Sequence, residues 1–393
     1  MEGWMASDYT FGIEEEFFVV DAATMNSVRT LPPQFLTRCR DRLGDRVSLE
    51  LLQSQIETQT VPHRHAADAL AELKELRDGV GDVADGFGFR LIAAGTHPFA
   101  EWQAQRHTER ARYRMVMNDL QMLGYRNLLC GTHVHVALPD PERRVALMTR
   151  AMPFLPLFLA LSTSSPFWCG KSTGLLSYRP AAYDELPRTG LPPVFAGDED
   201  YRAYLDSMTA GGVIPDASYI WWSIRPSMAH PTLELRIADA CTVPEDAVAI
   251  AMLFRALVAR LDRDPDFGVP VDAVVRAITE ENRWRIQRGG LDARIVDPAS
   301  RTPLLVRLAI RRLVKDLMPD ARRIGRAEDL DGIKAILDFG TSAHRQLEVF
   351  GNAREADQTR EEALYRVATW LARATIGVGG IATAPMPHAA VMH

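Results

Sequence analysis

The 393-residue chain is 47% hydrophobic and 24% charged, with 26 glycines and 24 prolines. That composition excludes a disordered, collagen-like or coiled-coil chain and is enough to build a sizeable core. Its 45 Lys and Arg against 51 Asp and Glu leave a formal charge of −6, the wrong sign for gripping a phosphate backbone, so nucleic acid is not an expected partner. The four cysteines (Cys39, Cys130, Cys169, Cys241) form no CxxC pair and read as core thiols of a reducing compartment. The first residues include Glu2 and Asp8 and lack the apolar stretch of a signal peptide. The most apolar run, residues 152–161, is interrupted by Pro153 and Pro156 and falls short of the ~20 residues that span a bilayer. A cytoplasmic protein with no membrane partner is expected.

In chain order, two-residue alternation predicts strands over residues 10–21 and 47–60, followed by a helix over 66–87 that carries Leu70, Leu73, Leu76 and Val80 at helical spacing. A strand over 90–95, a helix over 106–123, a strand over 131–138 and a helix over 141–161 follow. Residues 171–216, rich in Gly, Pro, Asp and aromatics, read as a long excursion over the sheet. Strands are predicted over 219–226 and 232–238, then a helix over 245–261 with an acidic first turn. The last third is mainly helical, over 271–288, 303–318, 327–339 and 352–374. Strands interleaved irregularly with helices, without a βαβ rhythm, predict an α+β fold with a mainly antiparallel sheet. One catalytic domain over 1–376 and a disordered Gly/Ala/Pro-rich tail over 377–393 are expected.

Four of these strands carry chemistry on one face. In Phe11-Gly-Ile-Glu-Glu-Glu-Phe-Phe-Val-Val-Asp21, Glu14 and Glu16 point the same way and Glu15 points the other. Two carboxylates side by side repel unless a cation lies between them, and the apolar flanks argue against a solvated edge strand. The second strand sets Gln53, Gln55, Glu57 and Gln59 on one face, the wall of a polar cleft or simply a solvent-facing side. In Gly131-Thr-His-Val-His-Val-Ala-Leu138, His133 and His135 share a face, with Val134, Val136 and Leu138 on the other. Thr232-Leu-Glu-Leu-Arg-Ile-Ala-Asp239 leaves Glu234 and Arg236 on its polar face, either a surface ion pair or a metal ligand beside a phosphate clamp. Upstream, Tyr219, Trp221, Ser223 and Arg225 alternate in the manner of one strand face. A sheet with one aliphatic face against helices and one polar face lining a cavity follows. Carboxylates without cysteine partners select Mg²⁺ or Mn²⁺ over zinc, and such ions beside arginines suit phosphoryl transfer from ATP. There is no P-loop motif, so a nucleotide would be held through the metals.

Gly12-Ile-Glu-Glu-Glu16, Glu57, Gly131-Thr-His-Val-His135 and Leu233-Glu-Leu-Arg236 together resemble the carboxylate–amine ligases of glutamate–cysteine ligase type 2, relatives in fold of glutamine synthetase. The resemblance runs from about residue 9 to 374. It implies a curved antiparallel sheet whose concave face holds ATP, two or three Mg²⁺ ions and an amino acid. It further implies that Glu16 and Glu57 hold one magnesium, that Glu14 and Glu234 bridge the ions on the ATP phosphates, that His133 lies at the γ-phosphate, and that Arg236 contacts phosphate. Arg179 and Arg225 become candidates for a substrate carboxylate, His135 has no assigned role, and Glu15 takes no part. The expected reaction makes an acyl phosphate and ADP, then an amide; the substrates are small molecules, and a homodimer is compatible with the family. Two rival readings are a metal-dependent amide hydrolase built on His133 and His135, for which the later histidines would be His230, His344, His388 and His393, and a non-catalytic binding member of the fold.

Overall fold

The computed structural model describes residues 9–377, so the expected disordered tail lies, but for Gly377, outside the described residues. At its centre is strand β1 (Phe11–Asp21), where Ile13, Val19, Val20 and three phenylalanines favour the extended chain. A hairpin of β2 (Val47–Leu49) and β3 (Gln55–Gln59) takes one edge of β1. On the other edge β4 (Phe89–Ile92) pairs with the last part of β1 and β5 (Thr132–Ala137) with the first. After a separate two-stranded hairpin of β6 (Phe167–Trp168) and β7 (Lys171–Ser172), the strands β8 (Ile224–Pro226) and β9 (Thr232–Leu235) complete the sheet. The order is β2-β3-β1-β5-β9-β8 with β4 on β1, and all these pairings are antiparallel. The fold is α+β, as expected. A last hairpin joins β10 (Arg294–Val296) to β11 (Pro303–Leu305).

Several predicted boundaries shift for local reasons. Helix α1 (Pro33–Leu43) was not anticipated; it starts on a proline, whose fixed φ suits a first turn, and buries Phe35, Cys39 and Leu43 at four-residue spacing. The strand expected over 47–60 folds back at residues 50–54, where the Gln55 amide donates to the Leu52 carbonyl. Helix α2 (Ala66–Gly86) is as predicted. The helix expected over 106–123 begins only at α3 (Ala111–Leu120), because Arg106 and Thr108 run extended and bond the turn after β2; α4 (Met122–Arg126) follows a left-handed Gln121 at φ 49°. Helices α5 (Arg144–Ala151) and α6 (Leu155–Ser162) belong to one continuous helical path over Pro141–Ser162. Pro153 and Pro156 sit in first-turn positions and reset the helix instead of ending it. This path is long and apolar enough to cross a membrane, longer than the sequence suggested, yet most of it is buried inside the protein as core.

The 171–216 excursion contains α7 (Arg179–Tyr183) and α8 (Asp198–Ala210), and the strand expected at 219–226 is confined to β8, with Tyr219 closing a 3-10 turn and residues 220–223 irregular. Helix α9 (Pro244–Arg263) has proline at its first position, Glu245 and Asp246 in the first turn and Arg260 and Arg263 in the last, so its ends complement the helix dipole. It is buried along most of its length against β1, β5 and α2. Helices α10 (Ala273–Gly289), α11 (Val306–Ile324) and α12 (Asp331–Phe339) follow. The region expected to be one helix over 352–374 is α13 (Ser342–Glu355) and α14 (Arg360–Thr375), separated where Thr359 caps α14.

Glu15 faces away from its two neighbours, as the alternation requires. It is no bystander, however. Arg77 of α2 donates to both of its carboxylate oxygens at 2.9 and 2.6 Å, and both side chains are 1% exposed. The same guanidinium donates to the carbonyls of Cys241, Thr242 and Thr375, tying the underside of β1 to the start of α9 and the end of α14. Removing one charge from such a pair strands the other in the core. Glu15→Gln is therefore expected to lower the unfolding free energy by about 3 kcal/mol or more, measured by denaturant titration; a loss within experimental error would show that the pair is dispensable.

Candidate active site

Strand register assembles the site. Glu16 lies opposite Glu57, Glu14 opposite His133, His135 opposite Glu234, and Glu234 opposite Arg225. Directly opposed residues of an antiparallel pair share a face, so five strands present one continuous polar row. That row floors a cavity of about 270 Å³ lined by Glu14, Glu16, Glu57, His133, Arg179, Arg225 and Arg236. Glu234 is fully buried beside them, clamped by Arg225 at 2.7 Å and by Arg236. Arg236, read from the sequence as half of a surface ion pair or as a phosphate clamp, pairs with Glu234 at the cavity and not on the surface. A second cavity of about 240 Å³, lined by Glu14, His135, His230, Arg46 and Thr60, touches the same row, so two hollows meet at Glu14.

The acids and imidazoles form three groups whose ligand atoms lie within 4.8 Å of one another: Glu16, Glu50 and Glu57; Glu57, Glu14 and His133; and Glu14, His135 and Glu234. The first and second share Glu57, and the second and third share Glu14. Glu50 was not anticipated from the sequence. On an unbroken strand it would have pointed away from Glu57, and the fold-back after β2 returns it to the cavity. Trp221 and Arg225 both reach the cavity, but Tyr219 is buried in a 3-10 turn, so the expected aromatic strand face is not formed as such.

Charge is unevenly spread along the row. Burial, then the charges of Glu14, Glu50 and Glu16, pushes the Glu57 carboxyl well above its ordinary range. Burial and Glu50 lift Glu16 to about 7. At the other end, burial would raise Glu234 but Arg225 and Arg236 overcome it and hold the carboxyl low. Burial opposes, and the His135 charge with hydrogen bonds from His133 and His135 outweighs it, keeping Glu14 well below the usual range. Burial and the Arg236 charge depress His133 to about 4, so its imidazole is neutral near pH 7. His135 is raised: burial lowers it, but Glu14 and Glu234 prevail. Buried Nε atoms of Arg179 and Arg236 and Nε2 of His133 have no hydrogen-bond partner among the described residues.

His133 and His135 fall in different groups, which removes the paired-histidine centre that a hydrolase would need. His230 packs edge-on against His135 with ring centroids 5.8 Å apart, and His344 caps α13 through Thr341. His388 and His393 lie outside the described residues.

Over residues 10–369 the chain matches the model of the glutamate-cysteine ligase family 2. The chain belongs to that family. A Bradyrhizobium sp. (strain ORS 278) protein with the provisional name glutamate–cysteine ligase 2 is 43% identical over 374 residues, covering 95% of this chain and 90% of its own length. A Rhodospirillum rubrum protein of the same provisional name is 42% identical over 384 residues, covering 96% and 99%. The fold matches the glutamate–cysteine ligase of Francisella tularensis, solved in complex with AMP, with a TM-score of 0.69 at 12% identity over 95% of this chain and 90% of that one. It also matches a bifunctional glutathione synthetase from Pasteurella multocida, with a TM-score of 0.68 at 14% identity over 93% of this chain and 53% of that one. The protein is an ATP-dependent ligase that forms C–N bonds, and the hydrolase and binding-only readings fall with that membership.

Gly131, at the head of β5, is where the ligase has no room for a side chain. Its amide donates to Glu16, and a Cβ there would come within 2.4 Å of Arg179 Nη2 and 3.0 Å of His133 Nε2. Because the obstructed guanidinium is the end of a flexible side chain, Gly131→Ala should fold and instead push Arg179 aside. Turnover is expected to fall about tenfold or more with little change in melting temperature. Full activity in that variant would show that Arg179 is not held where it matters.

Proposed function

We propose that the ligase activates the γ-carboxylate of glutamate with ATP and passes the γ-glutamyl group to an amine. The observation that carries this reading is the chain of three acid groups joined through Glu14 and Glu57 and facing Arg179, Arg225 and Arg236. A carboxylate oxygen of the donor attacks the γ-phosphorus of ATP, the bond to the ADP oxygen breaks, and an acyl phosphate forms. The amine nitrogen then attacks the acyl carbon, phosphate leaves, and the nitrogen gives up a proton to yield the amide. The chain mainly positions groups and supplies charge, the dominant contributions in phosphoryl transfer.

Divalent metal fits these residues. Four carboxylates crowd together, burial and the neighbouring acids drive the Glu16 and Glu57 carboxyls up, and the neutral His133 keeps a nitrogen free to ligate. Oxygen-rich groups of this kind with no cysteine favour magnesium or manganese. Glu16, Glu50 and Glu57 would hold one ion, with Glu14, Glu57 and His133, then Glu14, His135 and Glu234, offering further sites. Bound there, magnesium would neutralise the phosphate oxygens of ATP. Arg236, anchored on Glu234, would add a fixed positive charge for the transferred phosphoryl group. Arg179 and Arg225 are the guanidinium groups suited to the donor's α-carboxylate.

Incubated with ATP, Mg²⁺, L-glutamate and a panel of amines, the ligase is expected to release ADP and phosphate and to yield a new amide by mass spectrometry. AMP as the main product would overturn the acyl-phosphate route. Saturation with Mg-ATP at ~100 times its dissociation constant should add about 2.7 kcal/mol of stability, and EDTA should remove the gain. Glu57→Gln separates a metal ligand from a merely polar wall. With metal removed, the variant should melt at or above the wild-type temperature, because one of several repelling carboxylates has lost its charge. With Mg-ATP its turnover should drop about 100-fold or more. Wild-type turnover at every Mg²⁺ concentration would remove Glu57 from the metal site.

A further inference from the structure

Asp239, just beyond β9, is wholly buried and belongs to none of the three acid groups. Its Oδ2 accepts hydrogen bonds from the Ser165 hydroxyl at 2.7 Å and the Ser164 amide at 2.9 Å, and its Oδ1 accepts from the Ser177 hydroxyl at 2.9 Å. Ser165 Oγ in turn accepts the amides of Tyr178 at 2.8 Å and Arg179 at 3.0 Å. The carboxylate therefore organises the backbone that launches Arg179. The Arg179 side chain doubles back to the same place, donating through Nη1 to the carbonyls of Arg236 at 3.3 Å and Ala238 at 3.1 Å. It is 4% exposed, lies over the Tyr183 ring at 5.3 Å, and still borders the cavity with an unpartnered Nε.

We propose that Asp239 is a positioning residue: acting through Ser165, Ser177 and its own negative charge, it holds the Arg179 guanidinium against the cavity wall so that Arg179 receives the α-carboxylate of the acyl donor. The inference rests on the reading of Arg179 given above. Asp239 touches no substrate. Its contribution is to keep a long, flexible cation in one place before the donor arrives, which lowers the ordering cost of binding. The geometry leaves little freedom in that carboxylate. A Cβ on Gly95 would come within 2.7 Å of Asp239 Cγ, so the segment that follows β4 packs directly onto it.

The test measures dissociation constants for L-glutamate, in the presence of Mg-ADP, and for Mg-ADP alone by calorimetry, with melting temperatures alongside. Asp239→Asn keeps the shape and loses the charge; Ser177→Ala keeps the charge and loses one hydrogen bond. Asp239→Asn is expected to weaken L-glutamate about tenfold and Ser177→Ala to weaken it less, while Mg-ADP affinity stays within about twofold of wild type. Arg179→Gln should weaken L-glutamate at least as much, and the Asp239→Asn, Arg179→Gln double variant should be no weaker than Arg179→Gln alone, since the two act in series. Wild-type L-glutamate affinity in Asp239→Asn, additive losses in the double variant, or equal losses for both ligands would overturn the inference and leave the donor reading standing. Should Asp239→Asn fail to fold, Ser177→Ala decides by the same criteria. Unchanged affinity in Arg179→Gln, or a wild-type protein that binds no L-glutamate, would instead overturn the donor reading, and the inference with it.

Discussion

Everything in this ligase is arranged around the alternation of one strand. Three consecutive glutamates on β1 cannot all point the same way, so the extended backbone sends Glu14 and Glu16 to one face of the sheet and Glu15 to the other. Upward, two like charges meet further acids from β3 and the loop after β2, an arrangement that is repulsive without a cation. Downward, a single carboxylate meets Arg77, whose remaining donors hold three carbonyls from two other parts of the chain. The acids of the cavity thus stand on a strand that is pinned from beneath by a buried ion pair and from both edges by β3, β4 and β5. A strand carrying destabilising charge needs that many restraints to keep its register.

The row of charges across the sheet has a direction. Around Glu16, Glu50 and Glu57 acids outnumber cations, and burial with repulsion from neighbouring acids raises the carboxyl pKa of Glu16 and Glu57. Around Glu234 the balance reverses, because Arg225 and Arg236 lie within hydrogen-bond reach and the carboxylate is held ionised. The first end is suited to attract positive charge and the second to offer it. A metal–phosphate ligand with its cations toward one end and its oxygens toward the other would satisfy both at once. The geometry therefore distinguishes the two ends before any ligand enters, in keeping with preorganised electrostatic catalysis.

Much of this was readable in the sequence, and the failures have a common cause. Alternation correctly paired Glu14 with Glu16, His133 with His135, and Glu15 with the opposite face, because those residues sit inside uninterrupted strands. Glu50 escaped because the strand expected over 47–60 folds back between Leu49 and Gln55; a one-residue change of phase moves every side chain to the other face. The extended start of the 106–123 region escaped for a related reason, since its amphipathic pattern persists while its backbone is claimed by the same turn. Asp239 and Arg77 were invisible as site-supporting residues, because nothing local marks a polar residue whose partners lie 62 or more positions away. Periodicity reports which face a residue occupies. It is silent about what waits on that face.

That distinction bears on how a shared fold relates to low identity. The chain shares its fold with the Francisella tularensis ligase at a TM-score of 0.69 although only 12% of residues agree, so the fold persists through exchange of most side chains. Such exchange is physically inexpensive where volume and patterning are kept. It is not inexpensive at a buried carboxylate, whose partner must change with it or leave an uncompensated charge. In this ligase the buried charges come as interlocked sets: Glu15 with Arg77, Glu234 with Arg225 and Arg236, and Asp239 with its serines and Arg179. The first and third sets join segments far apart in the chain, the second ties neighbouring strands β8 and β9, and each abuts the strand row that carries the acids. These buried polar sets therefore constrain how β1, β8 and β9 are held against their neighbours, and any redesign of the cavity has to begin from them.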